Sequence, residues 1–317
     1  MAFDATPVGA GAAAPPRGRM DARHAGHAFE PFTAQADAWR LRFFARATGQ
    51  NDPVYADPDA ARAAGHPQLP LPPTFLFCLE QDAPEPNALL ALLELDPRQR
   101  LLHAEQGFVY HRMAYSGDRL SFHQRLDQVQ DKKGGALQFA VRSTRVTNQR
   151  DELVAELRQA VVAVHDAVPV PAAAVSTGAQ DETAERSGAD PLPALETAAI
   201  TRLDLALYAG ASGDHNPVHV DIDFARSAGF DDVFVHGMLV MAHAARGLTD
   251  WAPQHRLRTL HLRFQRITHV GDRLRCEAGI TGRTEQAGEP LLRVGLVVRD
   301  ASGLTKASGQ ATVTAAD

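Results

Sequence analysis

The sequence predicts an α+β protein built from one unit present twice, each copy a long helix set against a run of antiparallel strands. Two observations carry this. The segment 48-TGQNDPVYADPDAARAAGH-66 recurs as 212-SGDHNPVHVDIDFARSAGF-230 at a constant offset of 164, and 108-FVYHRMAYSGDRLSF-122 recurs as 262-LRFQRITHVGDRLRC-276 at an offset of 154. Identities in one order and register over both segments mark an internal duplication. Within each copy, apolar residues first recur at helical spacing and then alternate, which is the order helix then sheet.

Residues 1–27 are rich in Ala, Gly and Pro and are expected to form a disordered extension. The first unit is placed at 28–166 and the second at 198–317, with a Pro-, Ser- and acid-containing linker at 167–197 between them. A short helix opens the repeat: Asp57 caps it with Pro58 at its first position and Gly65 past its end, and Asp221 or Asp223 caps the second-copy helix that Gly229 ends. In 237-GMLVMAHAARGLTDW-251 the residues Met238, Met241, Ala242, Ala245 and Leu248 define the long apolar helix. Strands are expected in 258–267, where Leu260, Leu262 and Phe264 alternate with polar residues, and in 291–300 and 305–314, with a turn at Gly271–Asp272. The alternating charges of 142–158 fit the solvated face of a strand hairpin.

Composition bounds the function. A net charge of −6 gives no electrostatic reason for a nucleic-acid or anionic-membrane partner. No apolar run reaches the length of a membrane span, and the first twenty residues lack the apolar core of a signal peptide. The two cysteines, Cys78 and Cys276, are too few for a disulfide framework or a zinc site, so a reducing, cytoplasmic setting with two buried thiols is expected.

The chemistry-bearing stretch is 211-ASGDHNPVHVD-221, which sets Asp214 and His219 on either side of an Asn-Pro step. Pro217 biases Asn216 away from helix, so the pair sits in a kinked loop that can turn both side chains into one cleft. A carboxylate beside an imidazole can hold a water, take its proton and return it, and is expected to raise the imidazole pKa. Asp, Asn and Gly before Pro also make turns, and spacing alone favours that plainer reading. The duplication shifts the balance. The first copy has Gln50, Asp52 and Tyr55 in place of Asp214, Asn216 and His219, yet keeps the turn-forming Gly49 and Pro53. Turn and acid–base pair are therefore separable. His236, His243 and the H-x-D-x-D run at 219–223 resemble metal spacings only loosely, and no metal site is expected.

The run 208-YAGASGDHNPVHVDIDFARSAGF-230, followed by 235-VHGM-238, resembles the hydratase-2 signature of the MaoC-like (R)-specific enoyl-CoA hydratases and dehydratases. The first half, through 48–65, 71-LPPTF-75 and 103-HAEQGFVYHRMAYSGDRL-120, is similar to the non-catalytic N-terminal unit of such dehydratases. The resemblance implies a double hotdog: two units, each a helix wrapped by an antiparallel sheet. It further implies that Asp214 and His219 activate water for addition to a trans-2-enoyl thioester, or act in the reverse dehydration of an (R)-3-hydroxyacyl thioester. Asn216 falls at the supporting polar position, and the Gly237 N–H at the helix start is the expected oxyanion donor. We assign substrate contacts to His236, Met238, Gln50 and Tyr55. No separate cofactor is implied; coenzyme A or an acyl carrier protein enters as part of the substrate. The duplication already supplies the pair of hotdogs, and a homodimer of such chains is compatible with the plan. A hotdog acyl-thioester hydrolase and a non-catalytic thioester-binding protein are the competing readings.

Overall fold

A computed structural model describes residues 19–85, 87–95, 100–165 and 190–315. The first unit contains β1 (Phe32–Gln35), α1 (Ala38–Ala47), α2 (Pro58–Ala63), α3 (Phe75–Glu80) and α4 (Ala88–Leu92). Four longer strands follow: β2 (Arg100–Tyr110), β3 (Arg119–Lys132), β4 (Leu137–Thr147) and β5 (Leu153–Val164). The second unit begins with β6 (Asp190–Pro191), β7 (Leu195–Glu196), α5 (Arg202–Ser212), α6 (Ile222–Ser227) and α7 (Gly237–Trp251). It ends in β8 (Leu257–Phe264), β9 (Leu274–Gln286), β10 (Glu289–Asp300) and β11 (Thr305–Thr314).

The strands form one antiparallel sheet in the order β1-β3-β4-β5-β2-β8-β11-β10-β9-β6, with β7 also on β9. Each unit contributes half of it, and the halves join where β2 pairs with β8, from Glu105 opposite Arg263 to Val109 opposite Thr259. Alternation along β8 sends Leu260, Leu262 and Phe264 inward, where they meet the buried face of α7. This is the double hotdog the sequence led us to expect.

The duplication holds down to single hydrogen bonds. Pro70 bridges Tyr115 in the first unit as Phe234 bridges His269 in the second. Gly117 N–H donates to Ala36 O at 2.8 Å and Gly271 N–H to Ile200 O at 2.7 Å. Asp118 accepts from Tyr115 N–H, and Asp272 accepts from His269 N–H in the same way. The offsets of 164 and 154 in sequence are thus offsets in space.

Three expectations change. The disordered extension was placed at 1–27; residues 1–18 lie outside the described residues, but 19–27 are fixed on the first unit. Met20 is buried, its N–H donates to Gln138, and Gly26 N–H donates to Leu126 O. The linker was placed at 167–197, and its last eight residues are instead anchored on β9, through Asp190–Pro191 and Leu195–Glu196. Among the described residues the long helix is present only in the second unit. In the first, α3 ends at Glu80, because Pro84 and Pro86 follow and proline disfavours helical backbone at and before itself.

Candidate active site

Helix α5 starts on a capping box, in which Thr201 and Asp204 each accept the other's backbone N–H. It ends at Gly213, whose φ of 79° is left-handed and favours glycine. The reversed chain direction delivers Asp214 to the start of the loop. Asn216 then accepts the Val218 N–H through its side chain and initiates a single 3₁₀ turn, Pro217–His219, that turns His219 inward. Asp52 makes the same bond to Val54 N–H in the first unit. Asn216 is therefore a turn-capping residue, exposed to solvent, and the supporting role expected of it is exerted on the loop.

His219 is buried, and its Nδ1 lies 2.8 Å from the Phe234 carbonyl oxygen. A carbonyl only accepts, so Nδ1 carries the proton and Nε2 is left with a free lone pair. Asp214 and His219 stand with His236 in one cluster, their nearest ligand-type atoms all within 4.8 Å of one another. His236 stacks on His219 with ring centroids 3.9 Å apart and donates from Nε2 to Asp214 O at 3.3 Å. Burial lowers the His219 pKa and outweighs the opposing pull of Asp214 and of the Phe234 carbonyl. The expected rise is corrected: the carboxylate is near, but loss of hydration dominates. Burial, followed by the neighbouring His219, pushes His236 further down. Both rings are thus neutral near pH 7. Their planes differ by only 30°.

A cavity of about 650 Å³ opens in front of this pair, between the two units. Asp214, His219 and Gly237 line it from the second unit, and Phe77, Glu80 and Leu102 from the first. Gly237 is the first residue of the fifteen-residue α7, so its N–H belongs to the end whose amides have no carbonyl partner within the helix. A Cβ there would come within 3.3 Å of the Phe264 ring, which is a second reason for glycine.

Four assigned substrate contacts fall elsewhere. Met238 is packed in the core and His236 is fully buried behind His219; neither lines the cavity. Gln50 and Tyr55 are buried away from it, against the last turns of α7: Gln50 donates to Thr249 at 3.2 Å, and the Tyr55 hydroxyl hydrogen-bonds the same side chain. The cause is helix length. At the offset of 164, Glu80 corresponds to Ala244, and α7 continues from there to Trp251. Its extra turns occupy, beside Gln50 and Tyr55, the counterpart of the space that the short α3 leaves open in front of Asp214, and the first unit's counterpart cavity, lined by Pro72, Pro73, Tyr110 and Gln254, measures only about 190 Å³.

Sequence reasoning also missed residues. At the same offset Pro72 and Pro73 replace His236 and Gly237, so the first copy lacks the helix-start N–H as well as the acid and the base. That signal was legible in 71-LPPTF-75 beside 235-VHGML-239. The polar wall that the first unit gives the cavity was not. Glu80 there accepts from Gln124 at 3.2 Å and from Thr144, and Arg142 lies 3.8 Å away. His103 donates to Glu105 O and Gln106, with burial lowering its pKa to about 4.

Fold and site together define a double-hotdog protein whose larger cavity is lined by Asp214 and His219. Residues 23–157 match the FAS1-like dehydratase domain region, and residues 186–300 match the MaoC-like domain. A UPF0336 protein of Saccharopolyspora erythraea is 30% identical over 145 residues, spanning 45% of this chain and 91% of that protein. A mitochondrial 3-hydroxyacyl-[acyl-carrier-protein] dehydratase of Arabidopsis thaliana is 35% identical over 79 residues, 25% of this chain and 48% of that one. Among solved structures, a MaoC-like dehydratase superposes with a TM-score of 0.74 at 22% identity, covering 92% of this chain and 98% of its own. A conserved hypothetical protein of Mycobacterium tuberculosis with a double hotdog fold gives 0.64 at 15% identity, covering 92% and 96%. The chain belongs to the MaoC-like hydratase and dehydratase family.

Two further expectations can be placed. Cys78 and Cys276 are both buried, and burial raises the pKa of each thiol, so neither is a ready nucleophile. Among the described residues no helix is long and apolar enough to cross a membrane.

Proposed function

We propose that the protein reversibly hydrates trans-2-enoyl thioesters to (R)-3-hydroxyacyl thioesters, with Asp214 and His219 as the proton-transfer pair. The observation that carries this reading is the tautomer of His219: Nδ1 is held by Phe234 O, which leaves Nε2 without a proton on a ring that lines the cavity and clusters with Asp214. In the hydration direction, Asp214 and Nε2 hold one water. As its oxygen bonds to C3, Nε2 takes a proton and the C2=C3 electron pair moves toward C2 and the thioester oxygen. The Gly237 N–H and the α7 dipole stabilise the negative charge on that oxygen. The proton is then delivered to C2, so water is consumed and the base is restored. The depressed His219 pKa suits this role, because a base must be unprotonated at the working pH. The (R) configuration comes from the family resemblance. Coenzyme A or an acyl carrier protein is proposed as the thioester carrier, with no other cofactor, in the cytoplasm.

The test is to incubate the protein with short and long trans-2-enoyl-CoAs, following the conjugated-thioester absorbance and free thiol together. Loss of absorbance without thiol is the expected result. Release of thiol would make the protein a hydrolase, and no change in either signal would make it a binding protein.

A further inference from the structure

The first unit reaches the catalytic loop directly through one side chain. Arg40, on α1, is largely buried, with its side chain 15% exposed. Its Nε donates to Ala211 O at 3.0 Å and its Nη2 to Ser212 O at 2.9 Å, the last carbonyls of α5. The same Nη2 donates to Cys78 O in α3 at 2.8 Å, and Nη1 to both oxygens of Asp82 at 2.7 and 2.6 Å. One guanidinium thus ties together the ends of a helix from each unit, two residues before Asp214.

Three features make this more than a cap. Carbonyls at a helix C-terminus carry partial negative charge, which a cation offsets best when it is buried against them. Arginine alone among side chains presents a planar fork able to serve three carbonyls and a carboxylate at once; lysine is a single point charge. The fork also lies where a side chain at position 213 would go, since a Cβ there would stand 3.1 Å from Nη2 and 3.1 Å from Gln81 Cβ. The reversal that aims Asp214 is therefore packed closely against the first unit, with Arg40 and Gln81 together taking up the space where a Cβ would stand.

We propose that Arg40 is a positioning residue for Asp214, so that the non-catalytic unit sets the geometry of the acid–base pair as well as walling the cavity. The proposal rests on reading Asp214 and His219 as the proton-transfer pair. A guanidinium that holds α5 and α3 in register fixes where the carboxylate meets the water. Losing it lets the loop drift, and a misplacement of about 1 Å can cost ~10²-fold in rate. Substrate binding, which uses the cavity walls, should be spared.

The experiment compares wild type, Arg40→Lys, Arg40→Ala, Asp82→Asn and the same-helix control Arg42→Met in enoyl-CoA hydration, with Asp214→Asn and His219→Ala alongside. Arg42 lies on the same helix and donates to Ala56 O within the first unit. Arg40→Lys is expected to lose about 10- to 100-fold in kcat with KM within about 2-fold, while Arg42→Met stays at wild-type rate. Methylguanidinium at millimolar concentration is expected to restore at least part of kcat to Arg40→Ala and to leave wild type unchanged. Should Arg40→Lys fail to fold by circular dichroism, Asp82→Asn carries the test, with a smaller fall in kcat at unchanged KM. A folded Arg40→Lys with full kcat, a loss appearing only in KM, or an unaltered Asp82→Asn beside an unfolded Arg40→Lys would overturn the proposal. Full activity in Asp214→Asn or His219→Ala would instead overturn the catalytic reading itself.

Discussion

His219 shows how one side chain's surroundings decide its chemistry. The backbone of the 3₁₀ turn buries the ring, the Phe234 carbonyl selects the tautomer, and burial keeps the ring neutral. Its pKa lies below the ordinary 6.5, so kcat/KM for hydration should hold its plateau down through pH 6.5 and fall only at lower pH, as Nε2 gains a proton. A pH–rate profile falling with a midpoint above 6.5 would contradict that assignment. At this scale the expectation that a kinked loop turns Asp214 and His219 into one cleft matches where the two side chains lie. The sequence was a poor guide to Gln50, Tyr55 and Met238. Equivalence by repeat locates a residue in its own unit, and cannot say what the other unit places opposite it. The rise expected in the His219 pKa failed for a related reason: a neighbouring charge can be read from spacing, but depth of burial cannot.

Among the elements, α7 and α3 carry the functional asymmetry. Helix α7 begins at Gly237 and α3 two repeat positions later, at Phe75, and of the two only α7 runs on far enough to crowd the site of the opposite unit. Tyr55 and Gln50 then pack against the last turns of α7. Tyr55→Phe is expected to lower stability by about 1 kcal/mol, through loss of the bond to Thr249, with hydration and chain-length preference unchanged. Denaturant unfolding beside the assay measures both. The helix α5 depends on its capping box, so Thr201→Ala should cost about 1 kcal/mol of stability in the same measurement. The sequence signals for α2, α6, α7 and the second-unit strands were local: caps, helical period and alternation, all within one stretch. Helices α1 and α5 were missed, although Thr201 and Asp204 spell the capping box that opens α5. The shortening of α3 was legible in Pro84 and Pro86 and was hidden by the expectation that both copies share one plan.

Across the whole molecule, the two units are one body. A continuous sheet joined at β2 and β8, the shared cavity and the Arg40 bridge all cross between them. None of these could be read from sequence, since each depends on how two separately legible units face each other. The interior also carries an acid weakness. Burial lowers the pKa of His103 and His243 to about 4 and depresses His219 and His236 as well. In the unfolded chain these rings take up protons near pH 6.5, while in the folded protein they resist until lower pH. Between those limits the unfolded state binds more protons, so stability falls as pH drops from about 6.5 toward 4. Thermal melts across that range should show Tm falling steadily; a Tm flat from pH 7 to 4 would contradict the burial of these rings.

The proposal is that only the second unit's pocket works, its first-unit counterpart being narrowed to about 190 Å³ and lacking the acid and the base. Hydration rates of Asp214→Asn and His219→Ala, measured beside Gln50→Ala and Tyr55→Phe on one enoyl-CoA, test it most directly. A loss of ~10²–10⁴-fold is expected for each of the first pair and rates within about 3-fold of wild type for the second. Equal losses in both pairs, or full activity in the first, would contradict it.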